Sequence, residues 1–367
     1  MNIVLTFCII AILCAILNSM GIWKHGLFAG FVITTSLLAI HYDYGNDYMT
    51  YFDWFESSLY TPIPTSFSDF LNISRDPGWD ILNILFGRLF GASGFFIMVA
   101  SLSVIEGLCY YKFIKTYVPA QWYWLAMALY VLDLRFFMLT FSMMRQSLVM
   151  ALMLLCFMLI QQKRILAPLA IILTLSTIHN SVILCIPLLA IPLVPYNNQK
   201  LMATILIIAW LFLLLVSTAL EPILDQVASL TDAFARYMDV YSDETGKTFG
   251  MGYVLRLLPF SFMLYKLYHN QFHKEEIPLL LIWSLSIILT PFCTIIPLFT
   301  RLLFYFDLAG LAVIPTMYSS ISLPLVRYGM ILSSIVLATY TLYTAFYIPE
   351  SVYYEPFLIF RNIFEFI

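Results

Sequence analysis

The sequence predicts an all-α fold: a polytopic transmembrane helical bundle of about 10–13 spans with one short re-entrant or interfacial helix. Three observations lead there. Hydrophobic residues make up 62% of the 367 and charged residues only 11%, against about 25% charged in soluble domains. Apolar stretches of roughly 20 residues, the length that crosses a bilayer as a helix, recur along the whole chain. The alternating ten-residue segments of a membrane β-barrel do not occur. A net charge of −3 gives no electrostatic basis for binding nucleic acid.

In chain order, spans are read at about 3–20, 24–40, 93–115, 120–138, 139–161, 163–177, 178–195, 201–220, 253–269, 277–298, 301–319 and 326–347. The first apolar run lacks a basic n-region and an A-x-A site, so it reads as a retained span rather than a cleaved signal. Trp79 to Gly91 is apolar but too short to cross, which suits a re-entrant or interfacial helix. Cys8, Cys14, Cys109, Cys156, Cys185 and Cys293 all lie in apolar runs without a CxxC pair, as small buried hydrophobes do. With no repeat and no linker, residues 1–367 read as a single membrane domain. Two loops interrupt it: an acidic, aromatic loop at 41–78, and a loop at 221–252 in which Asp232 and Arg236 stand at helical spacing.

Orientation follows from the type of basic residue rather than the number. With the amino terminus outside, nine basic residues fall on each side. The inner nine include seven lysines: Lys24, Lys112, Lys115, Lys163, Lys200, Lys266 and Lys274. The outer nine are arginines except for Lys247. Lysine is a hydrated point charge suited to a topology signal, whereas arginine offers a planar fork that grips phosphate in bidentate fashion. In this orientation 17 of the 21 acidic residues lie outside, all but Glu106, Glu275, Glu276 and Asp307. Both loops are then extracytoplasmic.

The sharpest single feature is Arg145 with Gln146, set in the apolar run from Phe136 to Ile160. An arginine at the centre of a span costs about 2.5–3.5 kcal/mol on insertion scales, so a polar partner is expected. That partner is a phosphate or pyrophosphate on one reading, and a buried acid such as Asp307 on the other. Arg256 and Arg301 open two further spans on the same membrane face. With Arg145 and Gln146 they form a candidate pyrophosphate-binding set. Arg135 lies on the same rim and also has Asp133 two residues away. His179, in Ile-His-Asn-Ser, occupies an outer turn and is a candidate general base, as is Asp47; a histidine with an ordinary pKa near 6.5 suits that role.

The stretch from His41 to Glu56 interleaves carboxylates with aromatic rings, the combination that binds sugars. Asp43, Tyr48 and Trp54 are its candidate glycan contacts, joined by Asp76 from the Arg75-Asp-Pro-Gly-Trp-Asp80 turn. The plainer reading is an aromatic belt with solvated acids. Divalent metal binding is a weaker reading of so many carboxylates, and no metal ligand set or other cofactor is assigned. The chain has no GxxxxGK[ST], GxGxxG or HExxH motif.

These motifs, in order, resemble the EpsG-like branch of the Wzy-type bacterial polysaccharide polymerases. The resemblance is carried by Tyr44-Gly-Asn-Asp47-Tyr48, Asp76-Pro-Gly-Trp79, Arg145-Gln146 and Ile178-His179-Asn-Ser181, and is best over residues 40–185. The family more often has Glu and Tyr in the acidic turn, where this chain has Asp76 and Trp79. The resemblance implies joining of oligosaccharide repeat units carried on undecaprenyl pyrophosphate, for O antigen, capsule or exopolysaccharide. It places the active site on the outer face of a bacterial inner (plasma) membrane. Its partners would be a lipid-linked donor and acceptor, membrane lipid, and a flippase and chain-length regulator of the same pathway. A lipid-linked oligosaccharide flippase and a membrane acyltransferase are the alternatives. The first predicts charge on both membrane sides and internal repeats; the second predicts a deep His–Asp pair.

Overall fold

Eighteen residues at 1.5 Å rise make a helix of about 27 Å, close to the thickness of the bilayer hydrocarbon. Helix α1 (Asn2–Ser19) has that length. It buries Val4, Cys8, Ala11 and Ala15 and turns Ile3, Ile9, Ile10 and Leu13 outward. Small residues inside and large apolar ones outside is the pattern of a helix whose solvent is lipid. Helix α2 (Gly26–Ile40) packs against it at close range. A Cβ at Gly26 would lie 2.0 Å from the Cys14 carbonyl oxygen, so only glycine permits this approach.

This computed structural model describes residues 1–228, 250–294 and 298–366. The acidic loop folds into β1 (His41–Tyr42), α3 (Tyr48–Ser58) and the short α4 (Phe67–Asn72). Next come α5 (Pro77–Phe90) and α6 (Gly94–Tyr117). Proline at the first position of α5, Asp80 in its first turn and Arg88 in its last all favour a helix there. Gly91, at φ +61°, ends it. The stretch from Trp79 to Gly91, expected as a short re-entrant or interfacial helix, lies in this 14-residue helix and its C-cap, and the helix packs on α3 and α6. Helices α7 (Tyr123–Leu132), α8 (Met144–Gln161), α9 (Leu166–Leu175) and α10 (Gln199–Ala228) follow. After them come α11 (Met251–Tyr268), α12 (Ile277–Ile288), α13 (Leu298–Asp307), α14 (Gly310–Ser319) and α15 (Pro324–Phe346).

Among the described residues five helices are long and apolar enough to cross a membrane, or six if Phe299–Asp307 and Gly310–Ser319, bent by 47°, count as one span. Shorter apolar helices complete the bundle, including Gly26–Ile40, Leu166–Leu175 and Ile277–Cys293. The fold is the all-α polytopic bundle read from composition.

Several expected spans are shorter or broken, and two of them bear on the site. The stretch at 139–161 is broken: a 3-10 turn (Met138–Phe141) precedes α8, which begins only at Met144. Arg145 therefore lies in the first turn of its helix, at the end of a span rather than in its middle, and the cost of a mid-span arginine does not arise. The stretch at 178–195 becomes a 3-10 segment (Asn180–Leu193) with Pro187 and Pro192 inside it. Each proline removes an N–H that an α-helical ladder would need. Asp232, Arg236 and Lys247 of the second loop lie outside the described residues.

The carboxy-terminal segment returns to the amino-terminal half. Strand β2 (Arg361–Asn362) pairs antiparallel with β1, His41 opposite Asn362 and Tyr42 opposite Arg361. Beneath the acidic loop, Tyr48, Tyr51, Phe55, Trp79, Phe95, Met144 and Leu148 form an apolar cluster apart from the main core. It fixes α3 and α5 over the start of α8.

Candidate functional site

Asp76 joins the sequence motifs. One carboxylate oxygen accepts from Arg145 Nη1 at 2.6 Å, and the other accepts from the backbone N–H of Asn180 at 3.1 Å. The next turn is tied down as well: Gly78 N–H donates to the Thr177 carbonyl at 2.8 Å. A Cβ on Gly78 would come 2.3 Å from Thr177 Oγ1, so the two turns meet only because residue 78 has no side chain. Asp-Pro-Gly, Arg-Gln and Ile-His-Asn-Ser thus form one joint, although Asp76 is 69 residues from Arg145 and 104 from Asn180.

Aromatic rings cover the arginine. The Arg145 guanidinium lies 4.9 Å from the Trp54 ring and 5.6 Å from that of Tyr51, both on α3. Cation–π contacts of this kind contribute about 0.5–1 kcal/mol where exposed and more where desolvated. Tyr51 is buried and braced edge-on by Trp79, while Trp54 is 42% exposed. Arg145 is therefore held by an acid and two rings, with its side chain 22% exposed.

Asp47 approaches from the loop. Its backbone N–H donates to Ser142 Oγ at 3.2 Å, just before α8 begins. Gly45, at φ +115°, lets the loop lie on the 3-10 turn, where a Cβ would meet the Phe141 carbonyl oxygen at 2.7 Å. Partial burial raises the Asp47 pKa, and the charges of Arg301 and Arg145 pull it back. His179 completes the group. Both its ring nitrogens are buried without a hydrogen-bond partner. Burial, reinforced by Arg145 against an opposing effect of Asp76, pushes its pKa down to about 4. The imidazole is thus neutral near pH 7, with a free lone pair, and a weaker base than an ordinary histidine.

Arg301, on α13, stands between this group and a second one. Its carbonyl accepts from Gln146 Nε2 at 3.1 Å, and its charge acts on both Asp47 and His179. It also lines a cavity of about 510 Å³ with Asp133, Arg135, Arg256, Asp307 and mainly apolar residues such as Trp283, Phe304 and Leu337. Asp307 there bonds Arg135 with one oxygen and Arg256 with the other. Asp133 takes the far side of Arg135, Nε to Oδ1 at 2.7 Å, and Arg256 reaches Ser286 Oγ at 3.1 Å. Asp307 was expected on the inner side of the membrane, yet it shares a site with Arg135 and Arg256, both expected on the outer rim. Helix α13, only ten residues long, does not carry it across.

Of the residues singled out in the sequence, Asp47, Trp54, Asp76, Arg145, Gln146, His179 and Arg301 come together. Arg256 belongs to the Asp307 network, joined to the rest through Arg301. Asp43, at φ +43°, is paired with Arg361 at 2.6 Å, and Tyr48 is buried with its hydroxyl on the His41 carbonyl. Sequence reasoning gave Tyr51 to the sugar, as one ring of the His41–Glu56 stretch, and missed its place on the Arg145 guanidinium. It also missed the hydrogen bond between Ser181 and Tyr305 (3.1 Å), which ties the His179 turn to α13.

The EpsG family model matches residues 26–360, all but the two ends of the chain. The chain belongs to the EpsG family. The match covers every element of the joint, from the Asp47 loop to Arg301 on α13. With the apolar helices it makes this chain a multi-pass membrane protein of polysaccharide biosynthesis. No curated protein and no solved structure matches it.

Proposed function

We propose that this EpsG-family protein is a glycosyltransferase that polymerises lipid-linked oligosaccharide repeat units. Its substrates are two glycans carried on undecaprenyl pyrophosphate, and its site faces outward from the bacterial plasma membrane. The observation that carries this reading is the joint at Asp76. It sets a phosphate-type ligand, Arg145, beside a neutral histidine and under an exposed tryptophan. A phosphorylated sugar needs those three kinds of group: a cation for the phosphate, a proton acceptor, and a ring for the sugar's apolar face.

In the proposed step a hydroxyl oxygen of the acceptor glycan attacks the anomeric carbon of the donor. The new carbon–oxygen bond forms as the bond from that carbon to the phosphate oxygen breaks. The electron pair leaves with the lipid pyrophosphate. The hydroxyl proton passes to His179 or to Asp47. Arg145 and Arg301 stabilise the charge that grows on the departing pyrophosphate, and Arg256 extends that positive edge into the cavity. The largely apolar cavity walls suit the first part of a polyprenyl chain. Trp54 and the loop acids contact the glycan.

The test is complementation of a strain lacking the protein. Arg145→Ala and His179→Ala, each present in the membrane at the normal amount, are expected to leave single repeat units on lipid, flipped outward and unpolymerised. Long polysaccharide restored to the normal level by both variants would overturn the assignment. Repeat units trapped on the inner side would favour a flippase instead.

A further inference from the structure

The loop that carries Asp47 has little structure of its own. From Tyr42 to Asp47 it contains one turn, and Asp43 and Gly45 both have positive φ. It is held from outside, mostly by one piece of chain. Gly45 N–H donates to the Pro356 carbonyl at 3.2 Å, and Asn46 Nδ2 donates to the Val352 carbonyl at 3.0 Å. Asp43 pairs with Arg361, and β1 pairs with β2. Tyr44, fully buried, stands edge-on to Phe357 at 4.9 Å, Phe360 at 5.2 Å and Phe141 at 5.0 Å. The same piece of chain reaches the cavity, where Tyr353 forms part of the wall next to the Phe357 ring.

From these contacts we infer that residues 351–362 are a positioning strap for the catalytic loop: by gripping Asp43–Asn46 they hold Asp47 beside Arg145 and Arg301, and through Tyr353 they connect that loop to the lipid-headgroup cavity. The inference rests on the proposed polymerase reading. No strap residue touches the reacting atoms, so its contribution lies in placement. A displacement of about 1 Å at a reacting group costs on the order of 100-fold in rate. The ring cluster at Tyr44 and Phe357 carries most of the grip. The Asp43–Arg361 pair is half-exposed and of the kind that contributes about 0–1 kcal/mol.

The experiment uses purified full-length protein and a lipid pyrophosphate-linked repeat unit. Phe357→Ala is expected to lower kcat at least tenfold with little change in KM, while Phe357→Leu, which keeps most of the volume, retains most of it. A merely structural role would instead lower the amount of folded protein and leave kcat per folded molecule unchanged, and that result overturns the strap. Should Phe357→Ala not accumulate, Phe360→Ala decides. It removes a half-buried ring of the same cluster against Tyr44, and a normal kcat in it also overturns the strap. Wild-type protein that polymerises alongside normal strap variants refutes the strap alone. Wild-type protein that does not polymerise refutes the function on which it rests.

Discussion

Two arginine clusters meet at Arg301, and their charges are balanced in different ways. One acid, Asp76, is bonded to Arg145, and it also orders the Asn180 turn. The remaining contacts are aromatic faces. Around Arg135 and Arg256 there are two acids, and Asp307 is only 3% exposed. Buried pairs of the second kind are hard to break, because removing one partner leaves an uncompensated charge. The side chains of Arg145 and Arg135 are equally exposed, at 22%, so the clusters differ in how many carboxylates occupy each guanidinium rather than in surface. The Asp307 pairs are thus chiefly architecture, with Arg256 alone extending toward the ligand, whereas Arg145 has one carboxylate and stands at the chemistry.

The largest expected effect separates the two clusters. Arg145→Ala should lower polymerisation about 100- to 1,000-fold, the range for losing one charge-stabilising donor, with protein amount unchanged. Turnover per folded molecule checks it. Asp307→Asn should act instead on stability, by about 3–5 kcal/mol, because Arg256 then loses its carboxylate. Unfolding of the purified protein in detergent measures that loss. If Asp307→Asn abolishes turnover without changing stability, the comparison fails and the second cluster takes part in the chemistry.

Gly78→Ala sharpens the comparison from the backbone side. The added methyl has no room against Thr177, so the two turns separate and turnover falls about tenfold, on the scale of a slight misplacement. Trp54→Ala should be milder, raising KM a few-fold as a cation–π and stacking face is lost, with kcat nearly kept. The smallest effect is in pH. His179 titrates near 4 rather than 6.5. Between those values the folded protein therefore binds fewer protons than the unfolded chain, and stability falls as pH is lowered through that window. Catalysis that depends on neutral His179 should stay level from pH 7 to about 5. A fall in kcat centred on pH 6.5 would mean that the imidazole is not buried as described.

The membrane bundle was legible from composition and span length, because both depend only on local hydrophobicity. Arg145-Gln146 and Ile-His-Asn-Ser stood out for the same reason: polar groups are conspicuous in an apolar chain. The partners were not legible. Asp307 was a named candidate for Arg145, but Asp76 holds that place, and Arg256 lies in a different network from the one expected. Pairings across 69 or 155 residues, as at Asp76–Arg145 and Gln146–Arg301, depend on how helices dock. Hydropathy also missed the break before Met144, since a 3-10 turn is as apolar as the helix it interrupts. Asp43 looked like its acidic neighbours in sequence, and only the return of the carboxy-terminal segment gives it to Arg361.

The central claim is that Asp76, by holding Arg145 to the His179 turn, organises the reacting groups. The most direct measurement is the turnover of purified Asp76→Asn on a lipid pyrophosphate-linked repeat unit, beside Arg145→Ala and the double variant. If the two residues act as one unit, each single variant loses about as much as the double, and all three fold as the wild type does. Losses that multiply, or an Asp76→Asn enzyme with normal turnover, would contradict it.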